Sequence, residues 1–414
     1  MREMKDSGIE WIGTIPFDWK CCKQKYEIQL INGRAYSDSE FEEDGKYRIL
    51  RVGNLFSNPT WYTSSLELPP DKYCENGDLL YSWSMSYAPV IWTGEKVIYH
   101  YHIWKTKLSS NLNKKFAYYY LSALTDALKA KIHETTMGFI TMGVMNNSYI
   151  AFPCLKEQEI IVSFLDSKCS EIDAISADIQ KEIEILEQYK RSVVTEAVTK
   201  GLNPDAEMKD SGIGYIGIIP NHWVVEKIKY HLKYRGNRNP GGVQVLSVYR
   251  EYGVIPKDSR DDNHNVTSED TSNYRYVRVG DFVINKMKAW QGSMAISDYE
   301  GIVSPAYYVY EFSDENFDRK YFHYLLRNKM YATEFLRVSG GIRVGQWDLS
   351  AYDFENTMAP MPPIDEQEKI ATFLDTKSTE IDSLIGEKKR QLEVLDSYKK
   401  SLIYEYVTGK KEVI

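Results

Sequence analysis

Basic, amide and aromatic side chains gather at three places in the second half of the chain. Lys227, Lys229, Lys233, Arg235 and Arg238 fall close together, interleaved with Tyr230, His231 and Tyr234, and the run continues through Asn237, Asn239 and Gly241-Gly242. Lys286, Lys288, Trp290 and Gln291 form a second group. The third is a glycine-rich segment behind a helical pattern, carrying Arg337, Arg343 and Gln346. The chemistry open to such residues is recognition of a duplex. Arg pairs with the two acceptors of guanine and Gln with the donor and acceptor of adenine. Lys holds phosphates and sets register. The candidates here are Lys233, Arg235, Asn237, Arg238, Lys286, Lys288, Trp290, Gln291, Arg337, Arg343 and Gln346.

The first half has a leaner set. Asn32, Arg34, Lys46, Arg48 and Arg51 lie in or beside loops, and Ser82, Trp83, Ser84 and Tyr87 follow a Gly-Asp turn. The segment Thr136-Met137-Gly138-Phe139-Ile140-Thr141-Met142 stands where the second half has its Gly-Gly-Ile-Arg loop. The candidates are Arg34, Arg48, Arg51, Ser82, Trp83, Ser84 and Thr141.

Signatures of catalysis are missing. The chain has no Gly-x-Gly-x-x-Gly behind a strand, no phosphate-binding Walker loop and no His-Glu-x-x-His. It has no Asn-Pro-Pro-aromatic or Asp-Pro-Pro-aromatic run, so nothing supports an amino-methyltransferase site. Pro204-Asp205-Ala206-Glu207-Met208-Lys209 imitates a metal-dependent nuclease motif. Its carboxylates sit too close together in sequence to come from separate strands, so it reads as a linker that ends a helix. His100 and His102 lack a third ligand nearby and read as strand residues rather than a metal site.

Length and composition frame these residues. A chain of 414 residues exceeds one core, which implies two globular domains plus further elements. No apolar run reaches the length of a membrane span, and the N-terminus lacks a signal-peptide pattern. Cys21, Cys22, Cys74, Cys154 and Cys169 match no zinc spacing and read as reduced thiols, which implies a cytoplasmic protein. The net charge of -8 argues against nucleic acid only until it is divided along the chain. Residues 1–154 carry 17 basic and 17 acidic side chains, and 208–358 carry 19 of each. The acid lies in 155–207, with 6 basic and 12 acidic, and in 359–414, with 9 and 11. A neutral domain can still present a basic face.

The acidic segments are long helices. No Pro or Gly interrupts 158–200; Leu165, Ile172, Ile179, Leu186 and Val193 recur every seven residues, and Ile175, Ile183, Tyr189 and Ala197 are expected to complete the seam. In the second helix Leu374, Ile381, Leu395 and Leu402 alternate with Leu384, Leu392 and Tyr398, and Lys388 breaks the pattern where the first has Ile179. Such a helix is roughly 60 Å long and needs a partner for its stripe. The lobes beside the helices read as mixed α and β. Strand-like runs cover 90–92, 96–104, 276–279, 282–284 and 306–312, and helices are expected over 114–133 and 318–338.

The chain also states most of this twice. Met4-Lys5-Asp6-Ser7-Gly8-Ile9 returns as Met208-Lys209-Asp210-Ser211-Gly212-Ile213. Glu157-Gln158-Glu159 leading to Phe164-Leu165-Asp166 returns as Glu366-Gln367-Glu368 leading to Phe373-Leu374-Asp375. Gly77-Asp78-Leu79-Leu80 matches Gly280-Asp281-Phe282-Val283, while the residues around the two turns differ. Duplication implies internal pseudo-twofold symmetry and a long-helix pair that runs antiparallel. The segment after the first long helix repeats the one that opens the chain, which predicts that Met4 lies near the end of the second.

Taken together, these features resemble the specificity subunit of type I restriction-modification systems over the whole length. The specific parts are Ile15-Pro16-Phe17-Asp18-Trp19 with Ile219-Pro220-Asn221-His222-Trp223, and the Pro-containing leads Phe152-Pro153-Cys154 and Met361-Pro362-Pro363 into the helices. The first lead has one proline where the family pattern has two. The resemblance implies an α+β fold with target recognition domains at 1–154 and 204–358 and spacer helices at 155–203 and 359–414. It implies a non-catalytic subunit whose two domains each read half of a bipartite, asymmetric site in double-stranded DNA. The helices then set the spacing and dock two modification subunits. Restriction subunits join them, and the partners, not this chain, use S-adenosylmethionine, ATP and Mg. No metal or cofactor is expected on the chain itself. Two other readings stay open on the residues alone: a coiled-coil adaptor between proteins without DNA readout, and a DNA methyltransferase or nuclease with unfamiliar motifs.

Overall fold

The computed structural model describes residues 2–84, 86–134, 140–250, 252–259, 267–313, 317–341 and 347–413. Two compact units are present: Met1–Ile179 with Arg390–Ile414, and Gln180–Lys389. Each contains one globular lobe together with part of each long helix, Leu155–Lys200 (46 residues) and Ile364–Val407 (44 residues).

The first unit opens on a hairpin, Met4–Asp6 against Thr14–Pro16. Its central sheet is antiparallel, in the order Ile28–Asn32, Ile103–Leu108, Leu79–Ser82, Ala88–Ile91. A second sheet orders Tyr62–Ser64, Tyr47–Leu50, Val97–Tyr99 and Tyr73–Cys74, with a parallel pairing of Ile98 to Ile49. The strand expected over 96–104 is thus two strands, Val97–Tyr99 and Ile103–Leu108, which the turn at His100–His102 passes from one sheet to the other. The helix expected over 114–133 is present as Lys114–Glu134.

The second unit repeats the plan. Its hairpin is Met208–Asp210 against Ile218–Pro220, and its central sheet orders Leu232–Tyr234, Tyr307–Phe312, Phe282–Asn285 and Met294–Ile296. The single helix expected over 318–338 is divided into Arg319–Leu326 and Lys329–Val338. Asn328 sits at the break. Its side chain accepts from Met330 N to cap the second helix, and its amide donates to Thr195 Oγ1 on the long helix. A cap satisfies one of the orphan N–H groups that every helix start creates.

The repeated motifs are the joints between lobe and helix. Gln158 is fully buried; its Oε1 accepts from Asn113 N, and its Nε2 donates to Asn111 O and Pro153 O. Gln367 does the same with Asp318 N and Pro362 O. Asp166 binds Tyr119 Oη and Lys115, and Asp375 binds Tyr324 Oη and Lys320. Trp19 and Trp223 are the large buried anchors of the two openings.

The long helices pair antiparallel inside each unit. In the first unit Asp173 pairs with Lys399 at 2.6 Å, and Phe164 packs on Tyr406. In the second, Lys190 pairs with Asp382 at 2.6 Å and Glu182 with Lys388 at 2.5 Å. The Asp173–Lys399 and Lys190–Asp382 bonds are copies of each other under the repeat. The break at Lys388 is therefore filled by a charge pair. The expected seam holds at Ile183 and Ala197, which are buried, and needs correction at four other alternate positions. Ile175, Tyr189, Leu384 and Tyr398 are about half exposed, at 49%, 54%, 47% and 54%. The inward positions are Cys169, Ser176, Ile183, Lys190 and Ala197, and in the second helix Ile385 and Lys399. Picking the most apolar residue at each step shifts the register by one, because the true seam accepts small and charged residues wherever an opposing partner satisfies them.

The opening of the chain docks where the repeat predicts. Tyr404 Oη donates to Trp11 O at 2.9 Å, and Lys410 Nζ donates to Thr14 O at 2.5 Å. Gly409 has φ +70°, and a Cβ there would collide with the Pro16 ring; Gly201 occupies the same place against Pro220 and Trp223 with φ +73°. Gly409→Ala is expected to cost more than about 1 kcal/mol, from left-handed strain and the Pro16 clash together, measured by urea unfolding of the full chain.

Candidate nucleic-acid interface

The Gly-Asp turns are built alike and create corresponding corners. Asp78 Oδ2 accepts from Glu75 N, and Asp281 Oδ2 accepts from Arg278 N, both at 2.8 Å. The strands that follow end at Ser82, opposite Ile103, and at Asn285, opposite Tyr307. The next residue closes the corner in each case. Trp83 N donates to His102 O at 3.2 Å, and Lys286 N donates to Ala306 O at 3.1 Å. The framework is shared and the side chains on it differ.

In the first unit this corner is crowded with rings. Trp83 stacks on Trp104 at 5.7 Å and 15°, and Trp104 stacks on buried Tyr81 at 5.7 Å and 11°. The Trp83 Nε1 donates to Tyr101 O at 2.8 Å. His100, Tyr101 and His102 lie with centroids 4.1–4.7 Å apart. Burial, the neighbouring His102 and the Arg51 charge push His100 down to about 4. Burial and Arg51 also lower His102. Both imidazoles are thus neutral at pH 7, each with one donor and one acceptor nitrogen.

Several expected contact residues of this unit are engaged otherwise. Ser82 is fully buried with its hydroxyl on Ser84 O, so it is not a contact residue; the strand pairing that forms the corner encloses it. Ser84 is half-buried. Arg34 pairs with Glu40 at 2.5 Å and lies over Tyr36, and Arg48 pairs with Glu95 at 3.2 Å. Thr141 caps the short helix Met142–Asn147. Arg51 is exposed over the Tyr62 ring, with no carboxylate partner among the described residues.

In the second unit Lys286 and Trp290 are held beside each other's partners. Lys286 Nζ pairs with Asp348 at 2.8 Å, and Trp290 meets Trp347 edge-on at 4.9 Å. Lys288 is exposed and Gln291 half-buried. Arg275 lies over both Tyr234 and Tyr308, at 5.4 and 5.3 Å. Asn237 and Arg238 are exposed, and Arg238 bridges to Arg275 through the backbone. Lys233 is exposed, 3.9 Å from Glu311. Arg235 is not a free reader: its side chain is 10% exposed, 3.6 Å from Asp281 and paired with Glu311. Burial nonetheless raises the Asp281 carboxyl despite the nearby Arg235. The first unit meets the same need differently, with Lys105 on Asp78 at 2.6 Å. Arg337 is exposed, and both arms of its fork rest on Glu334 at 2.7 Å. It lines a cleft of about 740 Å³ with Tyr215, Asp353 and Asn356. Arg343 and Gln346, with 136–139, lie outside the described residues.

Comparison with known proteins decides what such a repeated framework is for. The family described as the type I restriction modification DNA specificity domain matches residues 16–185 and 233–394, most of the chain. The chain belongs to this family. It is a specificity subunit of the type I restriction-modification kind, with two DNA recognition domains. It is 21% identical to the EcoBI specificity subunit of Escherichia coli over 99% of this chain and 89% of that protein. It is 24% identical to the MjaVIII specificity subunit of Methanocaldococcus jannaschii, over 96% and 94%. A solved structure from work on complex assembly and conformational transition of the type I R-M system shares the fold. Its TM-score is 0.67 at 14% identity, covering 96% of this chain and 99% of that one. No helix among the described residues is long and apolar enough to cross a membrane.

Tyr101, Arg275 and Tyr308 stand at or beside these corners without having been among the sequence candidates, as do the two histidines read as strand residues. The available signal was the unbroken ring run Tyr99-His100-Tyr101-His102, too dense for a strand with one solvated face.

Two measurements check this assignment of roles. Arg235→Ala strands Asp281 without its cation and should cost about 3 kcal/mol in denaturant unfolding. His100 is neutral in the folded chain down to about pH 4 but titrates near 6.5 when unfolded, so the unfolded state binds more protons in between. Stability should therefore fall as pH drops from about 6.5 towards 4, and His100→Gln should flatten that part of the curve.

Proposed function

We propose that this chain directs a type I restriction-modification complex to a bipartite, asymmetric sequence in double-stranded DNA, each lobe reading one half. The observation that carries the asymmetry is the corner described above. One backbone arrangement presents Trp83 and His102, over buried Trp104, in the first unit and Lys286, Ala306 and Tyr308 in the second. Different side chains on one frame read different bases. The chain itself carries out no chemistry. Two modification subunits methylate adenine with S-adenosylmethionine, restriction subunits cleave with ATP and Mg, and the assembly works in the cytoplasm.

The long helices supply the docking surface. Ile175, Val394 and Tyr398 are exposed in the first unit, and Leu384, Ile185 and Tyr189 are exposed in the second. Each residue of one set is the repeat counterpart of a residue of the other. Apolar side chains standing in water on both copies of a helix pair mark an interface used twice, which supports two identical partners.

The test is to map methylated adenines produced by the assembled complex. The expected product is one non-palindromic, two-part sequence, with no turnover by the chain alone. Tyr398→Asp and Tyr189→Asp should each reduce the complex from two modification subunits to one, read by native mass measurement. Full occupancy in both variants would remove the helices as the docking surface.

A further inference from the structure

We propose that base recognition in the first unit belongs to the His100-Tyr101-His102 turn, acting with Arg51 and the Trp83 ring, and that the same corner, carrying Lys286 and Tyr308, reads in the second. This inference rests on the DNA-recognition reading above and deepens it.

Availability is the first ground. Arg235 is buried in a charge cluster and Ser82 is enclosed, so neither is open to a duplex, and Lys286 stands at the second corner as part of its pair with Asp348. Arg51 is exposed with no carboxylate partner among the described residues, and Tyr101 is 37% exposed at the tip of its turn.

Rigidity is the second. The turn hangs from a column of three stacked rings, Trp83, Trp104 and Tyr81, whose base is fixed by the Tyr81 Oη–Thr125 Oγ1 hydrogen bond at 2.9 Å. Its backbone is held at Tyr101 O by the Trp83 indole and at His102 O by Trp83 N. The backbone N of His102 also donates to His100 Nδ1, at 3.4 Å, which leaves Nε2 as the protonated nitrogen of that ring. Side chains fixed in this way lose little freedom on binding.

Chemistry is the third ground. A neutral imidazole offers a donor and an acceptor together, as the edges of base pairs do, and a free guanidinium matches the paired acceptors of guanine. The corresponding corner of the second unit has Ala306 in place of His102 and a lysine in place of Trp83. That substitution exchanges a ring-rich reader for a cationic one without altering the strand pairing beneath.

The experiment selects preferred sites from a fully randomised duplex library, using the full chain bound to its partner subunits. His102→Ala, Tyr101→Ala and Arg51→Gln are compared with wild type. Each should reduce base preference about ten- to hundredfold at positions within one half-site and leave the other half unchanged. The intact half is the folding control. His102→Gln, which keeps a donor and an acceptor, should retain part of the preference that His102→Ala loses. Lys286→Gln should relax the opposite half-site only. Wild-type preferences in all the variants would overturn the assignment of the corner while leaving the functional reading in place. Equal weakening on every sequence, with a shallower salt dependence, would do the same by reducing these residues to phosphate contacts. A wild-type complex that selects no two-part sequence would overturn the functional reading, and this inference with it.

Discussion

A helix of more than forty residues with one apolar stripe cannot stand alone in water, and this chain has two. Much of the rest follows from how that constraint is met. Each unit packs part of one long helix antiparallel against part of the other, then closes a lobe over the pair. The core of the first unit contains Leu165 and Ile172 from one helix and Leu402 and Val407 from the other. That of the second contains Ala197 and Val198 with Ile370 and Leu374. The exposed charge pairs Asp173–Lys399 and Lys190–Asp382 match the register in which these apolar residues are buried.

Around this pair the chain spends its repeated residues on joints and its varied residues on surface. Gln158 and Gln367, Asp166 and Asp375, Trp19 and Trp223, Gly409 and Gly201 perform matching tasks in the two units. Even a failure of identity is instructive. The carboxylate at the Gly-Asp turn draws its cation from Lys105 in one unit and Arg235 in the other, on different strands. The need to pair a half-buried charge is kept while its source moves. A frame that tolerates such exchange can carry unlike corners, as recognition of two unlike half-sites requires.

How much of this was legible in the chain depended on range. The duplication, the long helices, the antiparallel pairing and the docking of the opening hairpin on the second helix were all readable, because each is written as a pattern of many residues. Several readings met limits, among them the strand over 96–104, which is two strands. Four of the alternate seam positions shifted by one residue, with Ser176, Lys190 and Lys399 facing inward where apolar neighbours looked better suited. The helix over 318–338 broke at Asn328, because the cap and its bond to Thr195 outweigh continuation. Among the contact candidates, Ser82, Arg235 and Arg337 proved to be enclosed or paired.

The amino-acid order alone therefore determined the family, the doubling of the plan and the element types, since periodicity and repetition are local properties of a string. Only the tertiary structure decided which cations are free. Whether an arginine reads a base or neutralises a carboxylate depends on acids brought beside it from distant strands and turns, as Glu311 and Asp281 are brought to Arg235. The same folding brought Trp83 and Arg51 from other segments to the His100-Tyr101-His102 run, a meeting that no spacing along the chain displays.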